Sequence, residues 1–294
     1  MKKATFLLLL ATFSLAAPAT ACAQVVCIPQ EIQFQAPRVP EFVDFAGQTY
    51  RFDRPDLYER MDRELIAFTY GHTNSLLMLK RAERMFAQVV PILKKNGVPE
   101  DLKYLMAIEC NLDPKSVSTA GAAGPWQFLK ATGRSYGLEV ADEVDERFHI
   151  EKSTEAACKY LKEAYAKYGD WMTVAASYNA GQGGISQRIA SQRQKYAMDL
   201  FLPAETSRYM FRILTAKYFF EHPEVFGFHI DDPYPYIPPK EVVTVNEAIP
   251  DLTDFAEEHG TTYFFLKEAN LWLRSDKLTN KAAKTYKITI PGTR

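Results

Sequence analysis

The sequence lacks long apolar runs and a surplus of charge of either sign. After the run from Phe6 to Leu15, no stretch of its 294 residues approaches the roughly 20 apolar residues that a membrane-spanning helix requires. Its 35 basic and 36 acidic side chains leave a formal charge of -1, so no overall field draws the protein onto nucleic acid or anionic lipid. We therefore expect no nucleic-acid partner and no transmembrane segment.

The N-terminus has the pattern of an export signal. Two lysines precede the apolar run, which leads into small residues that end at Ala21-Cys22-Ala23. We predict a signal peptide over residues 1–23 and an exported, periplasmic mature protein, which we expect to be a soluble monomer. The alternative is a lipid anchor at Cys22, although Ala19 stands where lipoprotein signals usually carry a larger aliphatic residue.

Cysteine and histidine are scarce, with four and five residues. The histidines are scattered without the spacing of a zinc site, so we expect no metal and no cofactor. Cleavage after Ala23 would leave Cys27, Cys110 and Cys158, an odd number in a compartment where disulfides persist. We predict a disulfide between Cys110 and Cys158. The alternative is three unpaired thiols, two of them buried as small apolar groups.

The remaining composition is sufficient for a large core, with 47% apolar and 13% aromatic residues. Residues 25–40 carry prolines without helical spacing and are predicted to form an extended lead. Apolar spacing then predicts two helices over residues 55–93, with a turn near residues 71–74. It predicts further helices, with no strand between them, over residues 100–110, 152–168, 171–179 and 206–220.

A Pro-rich stretch over residues 231–240 predicts a semi-rigid linker, because it is too rich in proline for a helix or a central strand. Beyond it the pattern predicts a β-α-α-β unit, whose elements occupy residues 242–245, 252–259, 264–273 and 286–291. The predicted fold class is therefore mainly α, with a small β-α-α-β domain over residues 241–294.

Glu109 is a charged residue at the end of the apolar helical stretch over residues 102–108, where a carboxylate is unexpected unless it is exposed or has a function. Burial against apolar side chains raises the pKa of a carboxyl group, and a raised pKa suits a general acid near neutral pH. The structural alternative is a helix-end glutamate that is solvated or paired with a lysine.

Three motifs follow Glu109 along the chain. Gly121–Phe128 combines glycines that permit close backbone approach with Trp126, whose ring offers a face for sugar stacking, and with the Gln127 amide. Ala175–Gly181 pairs an aromatic and an amide side chain at a helix end, and Glu205–Tyr209 begins a later helix. Each motif alone is equally compatible with a purely structural role.

Together and in this order, these motifs resemble the family 23 lytic transglycosylases, most closely their membrane-bound lytic murein transglycosylase D branch. The resemblance covers about residues 97–219. It implies a goose-type-lysozyme-like catalytic domain over residues 97–230, preceded by the extended lead and a helical region over residues 24–96. The substrate that it implies is the glycan strand of peptidoglycan.

The resemblance also implies a role for individual side chains. Glu109 corresponds to the family's acid/base, and Tyr209 to the tyrosine near that acid. The residues that it implies in glycan binding are Gly124, Trp126, Gln127, Phe128, Tyr178 and Asn179. The family usually has serine after the catalytic glutamate, whereas this chain has Cys110, a weaker hydrogen-bond partner.

A single acid implies a particular mechanism. Asp113, Glu205 and the acidic run over residues 142–146 are the other carboxylates near the motifs, and they are interpreted as a turn, a helix start and a solvated face. In lytic transglycosylases the acid protonates the leaving oxygen, and the 6-hydroxyl of N-acetylmuramic acid then closes a 1,6-anhydro ring. The alternatives are a muramidase that uses water and a catalytically silent glycan-binding or scaffolding protein.

Residues 242–291 resemble a divergent LysM domain, a module that binds chains containing N-acetylglucosamine. Ile249-Pro250-Asp251 stands where that family usually has a Gly-Asp-Thr turn. The resemblance implies a glycan-binding unit, and a purely structural tail is the alternative. Since every catalytic motif precedes the Pro-rich linker, we expect catalysis and anchoring to be separable.

Overall fold

The computed structural model describes residues 36–292. The predicted signal peptide, the lipid-anchor alternative at Cys22 and the thiol of Cys27 lie outside the described residues. In the described part of the chain, no helix has the length and apolar character needed to cross a bilayer.

The first 190 or so described residues form a short hairpin followed by eight helices. Strands β1 (Phe42–Phe45) and β2 (Gln48–Arg51) pair antiparallel around a tight turn at Ala46 and Gly47, both with positive φ. The helices are α1 (Pro55–Tyr70), α2 (His72–Lys95), α3 (Leu102–Cys110), α4 (Lys130–Ser135), α5 (Ile150–Tyr168), α6 (Trp171–Ala180), α7 (Gln182–Gln192) and α8 (Ala204–Glu221).

The helices that apolar spacing predicts are all confirmed, within a few residues at their ends. The hairpin and helices α4 and α7 were missed. Helix α7 has Gly183 and Gly184 in its first turn and buries only Ile185, so neither its propensity nor its apolar pattern distinguishes it from a loop.

Helix α3 is the most buried helix of this helical region. Leu102, Leu105 and Met106 are fully buried, and α3 packs against α2 and α8. Helix α8 in turn packs against α1 and α6, so α3 lies inside a layer of longer helices. The helix ends at Cys110, and the next residue, Asn111, adopts a left-handed conformation with φ of 49° that turns the chain away. This environment places the C-terminal turn of α3 against the start of α8.

The C-terminal unit, residues 241–292, has the predicted β-α-α-β order. Its elements are β3 (Glu241–Val245), α9 (Leu252–Glu258), α10 (Tyr263–Ala269) and β4 (Tyr286–Ile290), and β3 pairs antiparallel with β4. It has a core of its own around Leu252, Leu266 and Ile288. Val144, from the helical region, is part of that core.

The C-terminal unit is docked on the helical region. Val144 forms a β-bridge with Leu273, and the Asp145 N–H donates to the Trp272 carbonyl oxygen at 2.9 Å. The linker is held as well, since the Tyr234 N–H donates to the Lys80 carbonyl oxygen of α2 at 2.6 Å. That catalysis and anchoring are separable stays a prediction, and truncation after the linker would expose one side of this shared apolar interface.

The predicted disulfide between Cys110 and Cys158 is also wrong: both are buried, free thiols. Cys110 ends α3, where its Sγ donates to the Met106 carbonyl oxygen at 3.3 Å. Cys158 lies within α5, which packs against α2 and α6. Burial raises the pKa of both thiols to about 12, so each behaves as a small apolar group.

We predict that alkylation without reductant modifies Cys110 and Cys158 completely in denaturant and very slowly in the native protein. The reason is that both thiols are free but buried and protonated. Peptide mass mapping of the two samples measures the outcome. A disulfide-linked peptide containing both cysteines would contradict the structure.

Candidate active site

Glu109 lies in the last turn of α3, between the buried Ile108 and Cys110, and its own side chain is half-buried. The Tyr209 hydroxyl donates to Oε1 of Glu109 at 2.5 Å. Burial raises the pKa of Glu109 to about 7, against the lowering effects of the Tyr209 hydrogen bond and the Arg212 charge. Desolvation is thus the dominant cause, as expected for a carboxyl at the end of an apolar helix.

Helix α8 supplies the opposite wall of the site. Glu205, Tyr209 and Arg212 are spaced by four and three residues, so they share one face of the helix. All three act on Glu109, because Tyr209 donates to it, Arg212 lowers its pKa and Glu205 raises it. Arg212 also reaches the end of α3, where its Nη2 donates to the Ile108 carbonyl oxygen at 3.4 Å.

The Gly121–Phe128 segment, hereafter the 121–128 loop, is tied to itself and to the chain before it. The Gln127 side-chain amide nitrogen donates to the carbonyl oxygens of Ser116 at 3.0 Å and Gly124 at 2.9 Å. Gly124 has φ of +78°, and a Cβ there would lie 1.8 Å from the Arg147 carbonyl oxygen. Only glycine fits between the loop and Arg147.

Tyr178 and Asn179 end α6 beside the same site. The Tyr178 hydroxyl donates to the Trp126 carbonyl oxygen at 2.6 Å, and the Glu109 charge contributes, after burial, to raising the pKa of Tyr178. Oδ1 of Asn179 accepts from the Thr206 hydroxyl at 2.8 Å, which joins α6 to the start of α8. The structure therefore brings Glu109, Tyr178 and Tyr209 together, with Asn179 alongside.

Trp126 and Phe128 are buried, contrary to the sequence-based interpretation that Trp126 offers its ring to a sugar. Trp126 is fully buried, and its Nε1 donates to the Thr154 hydroxyl at 2.9 Å. Phe128 is 3% exposed and stacks on Tyr136. Gly124 is buried as well. Phe128 also lies against Tyr178, with ring centroids 6.2 Å apart, so neither buried ring has a face open to a sugar.

The other carboxylates that sequence reasoning considered are mostly engaged elsewhere. Asp113 accepts from the Lys115 N–H at 3.0 Å and lies 3.7 Å from Arg81. The 142–146 run is not a solvated face, because Asp145 and Glu146 are buried and paired with Arg147 and Lys152. Glu205 is exposed at the first turn of α8, as predicted.

Sequence reasoning missed Arg212 and Arg147. The spacing from Glu205 to Tyr209 to Arg212 was a usable signal for Arg212, since it marks a single helix face. Arg147 carried no such signal, because its partners come from distant segments. Among residues 36–292, no group of three or more His, Cys, Asp or Glu is arranged to hold a metal ion.

Comparison with known proteins finds that two stretches of the chain match family models. Residues 90–201 match the family described as Transglycosylase SLT domain, and residues 241–294 match the one described as Soluble lytic transglycosylase C-terminal LysM-like domain. These matches confirm the resemblances drawn from the motifs and the predicted fold class, a lysozyme-like mainly α domain with a small β-α-α-β domain.

Individual relatives share only part of their length with this chain. Membrane-bound lytic murein transglycosylase D of Escherichia coli K12 is 29% identical over 191 residues, which cover 62% of this chain and 41% of that protein. Peptidoglycan transglycosylase gp16 of Escherichia phage T7 is 38% identical over 93 residues, 31% of this chain and 7% of that protein. An inactive mutant of lytic transglycosylase Slt from Pseudomonas aeruginosa is similar in structure, with 20% identity and a TM-score of 0.40 over 51% of this chain and 25% of that one.

We predict that Glu109→Gln raises the unfolding temperature at pH 8 more than at pH 5. A carboxyl whose pKa is raised to about 7 in the folded protein loses stability as the pH rises through that value, and glutamine does not ionise. Calorimetry at the two pH values measures the difference. Glu59→Gln, at an exposed position of α1, is the control. An equal temperature difference at both pH values would contradict the assigned environment of Glu109.

Proposed function

We propose that this chain, which carries a transglycosylase SLT domain and a C-terminal LysM-like domain, is a peptidoglycan lytic transglycosylase. It cleaves the β-1,4 bond between N-acetylmuramic acid and N-acetylglucosamine and leaves 1,6-anhydro ends. The observation that carries the proposal is Glu109, a half-buried carboxyl in an SLT domain with a pKa raised to about 7.

The raised pKa supports Glu109 as the proton donor. A carboxyl with a pKa near 7 is about half protonated at pH 7, whereas an ordinary glutamate is about 0.2% protonated. The Tyr209 hydrogen bond fixes Oε1, which leaves the second oxygen to face the glycosidic oxygen. Glu109 therefore combines a proton that is available near neutral pH with a fixed orientation.

The pairing of the other carboxylates supports a single-acid mechanism. Hydrolases that use two carboxylates hold the second about 5 Å from the first, or about 6.5 to 9.5 Å when a water lies between. Asp113, Asp145 and Glu146 are paired with basic side chains away from Glu109. Glu205 acts on Glu109 only through its charge, from an exposed position.

With one acid, the substrate itself supplies the nucleophile. Glu109 protonates the leaving oxygen and then, as a carboxylate, accepts the proton of the muramic 6-hydroxyl while that oxygen bonds to C1. Well-placed intramolecular attack reaches effective molarities of about 10⁵ M or more, so the ring closes before water adds. The hydrolytic muramidase is the rival, and the end group of the product separates the two.

A catalytically silent glycan-binding protein is the rival from another class, and it was motivated by Cys110. The Cys110 Sγ bonds within its own helix, to the Met106 carbonyl oxygen, and not to Glu109. The acid is held by Tyr209 from α8. The replacement of serine by cysteine thus leaves the proton donor and its orientation unchanged, which favours the active enzyme.

The proposal extends to location and binding partner. Peptidoglycan is the substrate, so the enzyme works outside the cytoplasmic membrane, with export through the predicted segment 1–23 and action as a monomer. Anchoring through Cys22 is the variant of this proposal that palmitate labelling would reveal. In this proposal Gln127, Tyr178 and Asn179 position the glycan. All three side chains are half-buried, and Tyr178 is close enough to Glu109 for the carboxylate charge to raise its pKa.

We predict that Glu109→Gln lowers the release of muropeptides from purified sacculi by about a thousandfold or more, because the amide cannot transfer a proton. Glu59→Gln, the same change at an exposed position of α1, is the matched control and retains activity within a few-fold. Mass spectrometry of the digest identifies the ends. Anhydro ends support the proposal, hydrated reducing ends indicate a muramidase, and no fragments from the native chain indicate a silent protein.

We also predict that the initial rate falls as the pH rises through about 7, because the first step requires protonated Glu109. Tyr209→Phe removes a hydrogen bond that lowers this pKa, so the descending limb moves to higher pH. Rates on soluble glycan fragments across pH 5 to 9 measure the descending limb of the native protein and that of Tyr209→Phe. An unshifted limb in Tyr209→Phe would assign the titration to another group.

A further inference from the structure

Arg147 connects both ends of the 121–128 loop. Its side chain is 4% exposed, and its Nη1 donates to the carbonyl oxygens of Gly121 at 2.8 Å and Phe128 at 3.0 Å. Its own carbonyl oxygen lies where a side chain on Gly124 would be. Arg147 therefore fixes the positions of the two ends of the loop through its side chain and packs against the middle of the loop through its backbone.

Asp145 fixes the guanidinium that makes these contacts. Oδ1 accepts from Nε of Arg147 at 2.9 Å and Oδ2 accepts from Nη2 at 2.7 Å, a bidentate pair. A planar guanidinium can hold a carboxylate on one edge and two carbonyl oxygens on another, whereas a lysine ammonium cannot keep this geometry.

The C-terminal unit holds the segment that carries this pair. Besides the Asp145 to Trp272 bond, the Arg274 N–H donates to the Glu143 carbonyl oxygen at 2.8 Å. The Arg274 guanidinium lies 4.4 Å from the ring centroid of Phe148, and Trp272 stacks on His149. Residues 143–149 are thus held between the C-terminal unit and the 121–128 loop.

A second, exposed contact connects the C-terminal unit to the segment that precedes the 121–128 loop. Lys115 forms a salt bridge of 2.6 Å with Glu268 of α10. The next residue, Ser116, accepts through its carbonyl oxygen from the Gly124 N–H and from the Gln127 side chain. Exposed pairs contribute little energy, so the buried route through Arg147 is the dominant one.

We propose that the docked C-terminal unit sets the shape of the 121–128 loop, with Arg147 as the positioning residue between them. The unit is then part of the glycan-binding machinery of the catalytic domain, whether or not its own surface binds glycan. The catalytic consequence rests on the proposed function, in which Gln127 of this loop contacts the glycan. The mechanical link between the unit and the loop is independent of it.

The test opens the docked interface in the full-length protein. Val144→Asp places a carboxylate in the shared apolar core, where Val144 is 2% exposed. Val242→Asp, the same change at an exposed position of β3, is the matched control. Arg147→Lys removes the planar guanidinium and keeps the positive charge. This variant tests the connection between the C-terminal unit and the 121–128 loop even where Val144→Asp fails to fold.

Amide hydrogen exchange gives the readout that does not depend on activity. In Val144→Asp and Arg147→Lys we expect exchange of the loop amides, including Ala123, Gly124 and Gln127, to be about tenfold faster or more. Exchange in α3 and α8 stays as in the native protein, and Val242→Asp matches the native protein throughout. Unchanged loop exchange in Arg147→Lys, or in Val144→Asp with an opened interface, would overturn the proposal.

Kinetics on soluble glycan fragments separate positioning from mere stability. We expect KM to rise about fivefold or more in both variants, while kcat falls less and the pH midpoint set by Glu109 does not move. A lower kcat with unchanged KM would mean fewer folded molecules and a purely structural role. An inactive native protein would overturn the proposed function, and the exchange result would still decide the link.

Discussion

A carboxyl group keeps its proton near neutral pH only in an environment that disfavours charge, and in this protein the packing of α3 against α8 provides it. Helix α3 is apolar and buried along nearly its whole length, so Glu109 leaves the core only at its final turn. There α8 offers one face with a tyrosine, an arginine and a glutamate. Burial against these helices, offset by the Tyr209 hydrogen bond and the Arg212 charge, raises the pKa of Glu109 to about 7.

The loop that flanks the acid has a different physical basis. Its aromatic residues point into the core, and its backbone is held by hydrogen bonds to Arg147, Ser116 and its own Gln127. The polar groups of the loop, its backbone and the Gln127 amide, are therefore held in fixed positions. A binding surface whose donors and acceptors are fixed before a ligand arrives loses less entropy when the ligand binds.

Sequence reasoning succeeded where a periodic pattern or an anomaly in it existed. The long helices followed from apolar spacing, and Glu109 was noticed because a carboxylate interrupts such a pattern. It failed where no period exists, as in the 121–128 loop, in which the direction of Trp126 and Phe128 depends on residues such as Thr154 and Tyr136. The β1–β2 hairpin was missed because its strands have four residues each and its turn uses Ala46 at positive φ. Burial of Asp145 and Glu146 depends on partners that sequence order does not reveal.

The two buried thiols have a consequence for the conditions in which the fold forms. Because Cys110 and Cys158 are protonated, enclosed and unlinked, the described part of the chain gains no stability from an oxidising environment and loses none in a reducing one. Its cohesion comes from packing, hydrogen bonds and ion pairs, which are present as soon as the chain is folded. The fold is thus indifferent to the redox potential on either side of the membrane that the chain is expected to cross.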